Sequence, residues 1–554
     1  MNFSQKILSQ TITQLCLVKG IDHIVISPGS RNAPLTIGFT EHPDFKNFSI
    51  VDERCAAFFA LGLAQQLQKP VALVCTSGSA VLNYYPAIAE AFYSDIPLVV
   101  ISADRPSELL EMGDGQTILQ ENVFSNHILY SANCVEGEAH QTFNETEINI
   151  ALNTAFELQG PVHINVPFSE PLYLTVPDLQ VRPQHVPVRR STNVLTEDLQ
   201  PFIKEWNTSS RKIILAGVLS PNSLEEKMLA TLAQDESVVV FTETTSNLHH
   251  TNFIHAIDQL IAPLDANGFT ALQPDILLTF GGMVVSKKVK AFLRSYPPKT
   301  HWHVDPKKAY DTYFVLKHHF KTTPSTFLKA FLPEAQVVSS TFQKEWLTVK
   351  SYRLSRHEAY LDEVAFSDFK VFAGLCEALP KKSILQLANS ATIRYTQLFK
   401  IDASIEVFCN RGTSGIDGST STAIGAAFAS DKQVVFVTGD LAFFYDSNAL
   451  WNNYIPNNFR IIVVNNSGGG IFRILPGAKN TAHFDTYFET KHHLSAKHLS
   501  EMYGFEYLSA KNEKEVENEL NEFFKASETP KVLEVFTPSE VNDAVLTAYF
   551  QYLK

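Results

Sequence analysis

Short apolar runs rich in β-branched residues alternate along almost the whole chain with longer segments whose apolar positions recur at helical spacing. IDHIVIS, PVALVCTSGS and IPLVVISADRP each read as a buried strand followed by a loop and a helix-like segment. An apolar run closed by polar turn residues marks a strand covered on both faces, and its alternation with helices predicts parallel sheets of the α/β class. RKIILAGVLS, ESVVVFTET, PDILLTFGG and THWHVDP predict a second set of strands, and EVFCN, VVFVTG and RIIVV a third. VPDLQVRPQHVPVRRST, rich in Pro and polar residues and without a period, reads as a linker near residue 185. TFQKEWLTVKSYRLSRHEAYLDE is a charged helical stretch leading into the third region, and KNEKEVENELNEFFKAS a solvated amphipathic helix. The expectation is three doubly wound parallel-sheet domains, at residues 1–185, 186–350 and 351–554.

The first and third regions repeat one another weakly and in the same order. FSIVDERCAAFFALGLA and EVFCNRGTSGIDGSTSTAIGAAFAS are each a strand, a polar loop and an Ala-rich helix. VALVCTSGSAVLNYYPAI pairs with VVFVTGDLAFFYDSNAL, and PLVVISADR with RIIVVNNSG. Two related α/β domains flanking a third would produce this pattern.

Composition narrows the class. The chain is 45% hydrophobic and 19% charged, as expected for an ordinary globular protein. MNFSQKILSQTITQLCLVKG interrupts its apolar residues with Gln, Ser and Thr at helical spacing, so it predicts an amphipathic helix rather than a signal peptide, and a cytoplasmic protein. Six scattered cysteines without a C-x-x-C pair read as buried thiols. A net charge of −13 argues against nucleic acid, and requires any anionic substrate to meet a local basic cluster. The pairs His249–His250 and His492–His493 read as solvated loop histidines.

The polar residues at the ends of predicted strands carry the chemistry. Asp440 follows VVFVTG, and Asn465–Asn466 follow RIIVV, one strand–helix–strand crossover later. In an open parallel sheet ligands bind beyond the carboxyl ends of the strands. A carboxylate oxygen, an amide oxygen and a backbone carbonyl from the SGGG turn make a hard oxygen site suited to Mg²⁺ holding a diphosphate. Read alone, the same residues could be a helix cap and a turn. Glu53, where a strand gives way to an Ala-rich helix, could likewise be a helix-start carboxylate. Together the two features suggest thiamine diphosphate chemistry, in which a carboxylate on the aminopyrimidine helps to remove the thiazolium proton.

ISPGSRNAPL, VDERCAAFFALGLA, TSGSAVLNYYPAIAEA, SADRPSELLEMGDGQTILQ, NRGTSGIDGSTSTA and NNSGGGIFRILP resemble the thiamine-diphosphate-dependent decarboxylase and synthase superfamily, over most of both outer regions. The superfamily usually reads G-D-G where this chain has Gly439-Asp440-Leu441, a variant similar to that of its menaquinone-biosynthesis synthases. The resemblance implies pyrimidine-binding, central and diphosphate-binding domains and a homodimer or dimer of dimers with active sites between subunits. Some superfamily members bind a nucleotide in the central domain, but the glycines at 281–282 form no G-x-G-x-x-G fingerprint, so here it is expected to be structural. It implies thiamine diphosphate with Mg²⁺ or Mn²⁺ as cofactors, and 2-oxoglutarate and isochorismate as substrates. Glu53 is then the catalytic carboxylate. Asp440, Asn466 and the Gly468 carbonyl become metal ligands, and Arg411, Gly412, Ile416, Gly439, Leu441, Gly469, Ile471 and Phe472 line the cofactor.

These substrates bring four carboxylates, for which arginine is the best planar partner. Arg31, Arg105, Arg394 and Arg411 all fall in loops after strands or at helix starts. A single arginine would read as a surface residue; four in motif loops read as anion recognition. Ser30, Gln116 and Ser390 share these loops; the resemblance implies that Leu475 contacts substrate and matches Lys287 to a substrate-facing lysine of the family, with Lys288 leaving the register open. Arg31, Arg105 and Gln116 are candidates for isochorismate, Arg394 and Ser390 for the distal carboxylate of 2-oxoglutarate. The rival readings are another thiamine diphosphate decarboxylase or acetohydroxyacid synthase, and a catalytically silent cofactor-binding relative. Pyruvate, with one carboxylate, would not need the four arginines, and a silent relative would not need Glu53, Asp440 and Asn466 together.

Overall fold

The computed structural model describes residues 2–189, 195–474 and 477–554 of the 554-residue chain. Residues 190–194, which include the end of the predicted linker, and Leu475 therefore lie outside the described residues. Three parallel sheets build the architecture. In spatial order the first is Lys46–Ser49, His23–Ile26, Val71–Cys75, Leu98–Asp104, Val162–Pro167 and Tyr130–Asn133. The second is Val238–Thr242, Lys212–Ala216, Ile276–Phe280, Thr300–Val304 and Leu316–Phe320. The third is Glu406–Cys409, Ile384–Leu387, Val434–Gly439, Arg460–Asn465, Lys531–Phe536 and Glu506–Ala510. Counted in chain order, both outer sheets run 2-1-3-4-6-5, so the weak repeat in the sequence is a repeat of topology.

Central strands such as Val71–Cys75 are buried at every position because helices cover both faces, which explains their unbroken apolar runs. All six cysteines are free and buried in these layers. No helix among the described residues is long and apolar enough to cross a membrane.

The outer domains share one core through helices Glu53–Leu67 and Ser419–Phe428, the equivalent element of each repeat. Their backbones touch. A Cβ on Gly62 would overlap the Thr422 carbonyl, and one on Gly425 would overlap the Phe59 carbonyl. Each glycine thus faces the carbonyl three residues before the other glycine. Helix Phe342–Glu363 joins the second and third sheets: Phe342 and Trp346 sit in the middle core, while Tyr360 and Leu361 pack on the core of the third sheet. A division at residue 350 falls inside this helix.

Candidate active site

The strand ends of the third sheet gather the diphosphate-domain candidates. Asp440 begins the short helix directly after strand Val434–Gly439 and is 2% exposed. Its Oδ1 accepts the Leu441 N–H at 2.6 Å and its Oδ2 accepts the Gly468 N–H at 3.0 Å. Gly468 has φ +151°, and a Cβ there would come 2.6 Å from the Glu489 carbonyl oxygen, so the turn admits only glycine. Gly469 donates its N–H to that same carbonyl at 2.6 Å, and the Glu489 side chain pairs with Arg473. Ile471 and Phe472 follow in the half-buried helix Ile471–Ile474.

The two asparagines have separate duties. Asn465 donates to Glu534 Oε1 at 2.7 Å and to the Leu494 carbonyl at 3.0 Å, tying neighbouring segments together. Asn466 donates Nδ2 to Asp368 Oδ2 at 2.8 Å, and its Oδ1 is buried without a partner. Asp368 is as buried as Asp440; burial pushes its carboxyl up to about 6, with the Asp440 charge adding to the rise against the opposing Thr537 and Asn466 hydrogen bonds. His492 is turned onto this cluster, with Nε2 3.3 Å from Asp440 Oδ2. The sequence reading of His492 as a solvated loop residue is thereby corrected, whereas His493 is exposed. His492 is drawn in because its N–H reaches the Ser467 carbonyl at 3.2 Å, folding the segment back on the glycine turn. The buried Asp440 carboxylate, an amide oxygen without a partner and a tight glycine turn fit a hard divalent cation with oxygen ligands.

Glu53 opens helix Glu53–Leu67 behind the N-cap Asp52, whose side chain accepts the Cys55 N–H at 3.2 Å. Burial lifts the Glu53 carboxyl above its ordinary range; its own backbone N–H opposes the rise and Asp52 adds to it. The helix start is pinned by Asp446, which accepts from the Ser421 N–H at 2.8 Å and from Cys55 Sγ at 3.7 Å, with Arg54 3.6 Å away. The first turns of the two equivalent helices are thus fastened to one buried carboxylate.

Arg31 feels the charge of Arg105, and Arg394 that of Arg411. Arg31 is buried; its Nη1 donates to the Phe168 carbonyl at 2.9 Å and lies 3.2 Å from Glu170, while its Nε has no partner. Burial and then the Arg105 charge lower its proton affinity. Arg105 donates to the Gly115 carbonyl at 2.8 Å, beside exposed Gln116, whose φ is +58°. Ser30 is exposed at the same edge. In the third domain Arg394 donates to the Ser390 carbonyl at 2.5 Å, and Ser390 has φ +70°. Burial and then Arg411 lower the Arg394 proton affinity. Arg411 donates to Asn389 Oδ1 at 2.6 Å, and Gly412 donates its N–H to Glu90. Ile416 is partly exposed on the loop that follows.

Lys287 and Lys288 are both exposed, and Lys288 lies over the Phe550 ring at 4.9 Å. Lys290, not singled out by the sequence, is the half-buried lysine of that helix; burial lowers its proton affinity, with Glu243 opposing and Arg411 adding. It lines a cavity of about 360 Å³ with Arg411, Gly281 and Gly282. Asp368, Glu90 and His492 were also missed, because each acts on a partner far away in sequence.

Three family models match the chain in order: the N-terminal TPP binding domain of thiamine pyrophosphate enzymes over residues 8–128, the thiamine pyrophosphate middle domain over 184–387, and the C-terminal TPP binding domain over 390–535. The 2-succinyl-5-enolpyruvyl-6-hydroxy-3-cyclohexene-1-carboxylate synthase of Christiangramia forsetii is 54% identical over 576 residues, covering 100% of both chains. The chain belongs to this synthase family. The synthase of Flavobacterium johnsoniae is 55% identical over 99% of both chains, and that of Porphyromonas gingivalis 36% identical over 100% of this chain and 98% of its own. The N-terminal and C-terminal TPP binding domains fall on the two outer sheets of one topology.

Proposed function

We infer that the chain decarboxylates 2-oxoglutarate and adds the remaining four-carbon unit 1,4 to isochorismate, giving 2-succinyl-5-enolpyruvyl-6-hydroxy-3-cyclohexene-1-carboxylate and CO₂. The observation that carries this reading is the buried Asp440–Asn466–Gly468 cluster at the strand ends, within a chain related end to end to these synthases. The cofactor is thiamine diphosphate with a divalent metal, and when bound it supplies the electron sink for loss of CO₂.

We assign the chain's own residues as follows. Asp440, the Asn466 amide oxygen and the Gly468 carbonyl hold Mg²⁺ or Mn²⁺ against the diphosphate. Gly439, Leu441, Gly469, Ile471, Phe472, Arg411 and Gly412 surround the cofactor, and Ile416 supports its bend. Glu53, raised in proton affinity by burial, holds a proton at the aminopyrimidine ring nitrogen. Arg394, Ser390 and Arg411 receive 2-oxoglutarate. Arg31, Arg105, Ser30 and Gln116 receive isochorismate, and Lys287 reaches toward the substrates. The separate pairing of Arg31 with Arg105 and of Arg394 with Arg411 supports this division.

We further propose a cytoplasmic homodimer or dimer of dimers with active sites between subunits. Six free thiols suit a reducing compartment. Tyr445, Trp451 and Tyr487 stand 55%, 51% and 75% exposed on the diphosphate domain, large aromatic surfaces that a second copy would cover. Turnover is tested with thiamine diphosphate, Mg²⁺, 2-oxoglutarate and isochorismate, following loss of isochorismate absorbance. Turnover of pyruvate without turnover of this pair would replace the assignment with another 2-oxo acid enzyme.

A further inference from the structure

An asparagine presents either an acceptor oxygen or an NH₂ group, and only the oxygen can ligate a cation. Free rotation of the amide would leave that choice open. In this chain Asn466 is not free: its Nδ2 is 2.8 Å from Asp368 Oδ2. An ionised carboxylate only accepts, so the atom facing it must be the NH₂, and Oδ1 is left buried and without a partner.

Asp368 is itself locked. It is the first residue of helix Asp368–Ala378, anchored in the core by Phe369 and Phe372. Its Oδ1 accepts the Thr537 hydroxyl at 2.5 Å, and its backbone N–H donates to Asn542 Oδ1 at 2.9 Å. Both carboxylate oxygens are therefore assigned, one to a hydroxyl and one to the Asn466 amide. We propose that Asp368 is a positioning residue for the divalent cation, holding Asn466 with its amide oxygen as the atom available to the metal. It acts through Asn466 and touches neither metal nor substrate. A flipped Asn466 would strand its oxygen against the carboxylate and offer the cation an N–H.

This inference rests on the metal assignment above, so the experiment separates the two. Mn²⁺ is titrated into the thiamine diphosphate-loaded protein and free ion is followed by electron paramagnetic resonance, with melting of the metal-free protein recorded for each variant. Asp440→Ala should abolish binding; if it does not, the metal site itself is misplaced. Asp368→Ala should bind Mn²⁺ about 10- to 100-fold more weakly, the range for loss of a partner that orients a metal ligand. Exchanging the groups, Asp368→Asn with Asn466→Asp, keeps net charge, lets residue 368 donate, and returns an oxygen to the metal. The exchanged protein should bind within about tenfold of wild type, and this arm remains decisive should Asp368→Ala fail to fold. Asn466→Asp alone sets two carboxylates against each other and should bind more weakly than the exchanged pair. Wild-type affinity in Asp368→Ala, or equal affinity in Asn466→Asp alone and the exchanged pair, would overturn the positioning role.

Discussion

Gly412 donates its backbone N–H to the carboxylate of Glu90, 2.8 Å away and 322 positions earlier in the chain. Thr413 adds its N–H at 2.6 Å and its hydroxyl at 2.8 Å, and Ser94 a hydroxyl at 2.7 Å, so this buried carboxylate holds the Arg411 loop on the first domain. Glu90→Ala removes the acceptor of the half-buried Gly412 N–H and of the exposed Thr413 N–H, a loss of about 1–3 kcal/mol at most, since water reaches the Thr413 group. Lower stability in denaturant unfolding and a raised KM for 2-oxoglutarate are expected.

Glu53→Gln keeps the side-chain shape and weakens its hold on a proton. Cofactor should still bind, while hydrogen–deuterium exchange at the thiazolium carbon slows by a factor of about 10² to 10⁴. Wild-type exchange in the variant would reduce Glu53 to a helix-start residue.

The two arginine pairs should separate the halves of the reaction. Arg31→Ala removes a charge-assisted contact worth about 1.5–3 kcal/mol, so isochorismate consumption should fall roughly ten- to a hundred-fold while release of CO₂ from 2-oxoglutarate alone is spared. Arg394→Ala should impair the release of CO₂ instead. Labelled CO₂ and isochorismate absorbance read the two halves. Equal loss of CO₂ release in both variants would mean one shared anion pocket.

Buried histidines set the acid limit. His163 is fully buried, with Nε2 2.7 Å from Ser102 Oγ and Nδ1 without a partner, and burial pushes it down to about 3. His357, also buried, is pushed to about 4. Below pH ~6.5 the unfolded chain takes up protons that these native residues refuse, so stability falls as pH drops, by up to about 1.4 kcal/mol per pH unit for each histidine. The loss ends near pH 4 for His357 and near pH 3 for His163. Unfolding free energies at pH 7 and pH 5 should show this slope, and His163→Gln should flatten it.

Gly62→Ala drives a methyl into the Thr422 carbonyl and should destabilise by about 1–3 kcal/mol, as overpacking does. Gly374→Ala, also in a helix but with open space around the added carbon, should be neutral or stabilising by about 0.4–1 kcal/mol. Thermal unfolding of the two compares close approach with helix preference.

Strands buried on both faces announced themselves: VALVC and the IIVV of RIIVVN are apolar because nothing there meets water. The strands YSAN and LKHHF at sheet edges carry polar residues on faces left partly open, and so gave no such signal. Asp440 and Glu53 were legible because strand ends and helix starts are local features. Asn465 and Asn466 are the same residue type side by side; only the partners Glu534 and Asp368 tell a strut from the ligand proposed here. Those partners come from distant segments, and spacing along the chain carries no trace of them.

The glycine crossing of helices Glu53–Leu67 and Ser419–Phe428 is reciprocal, the signature of an isologous interface between identical partners, yet both partners here are one chain. A two-fold contact between separate molecules weakens on dilution. Tethering makes its effective concentration independent of how much protein is present. With cofactor and metal held saturating, any loss of activity on dilution must then come from contacts between copies and not from this crossing, so a dilution series isolates the strength of the outer interface alone.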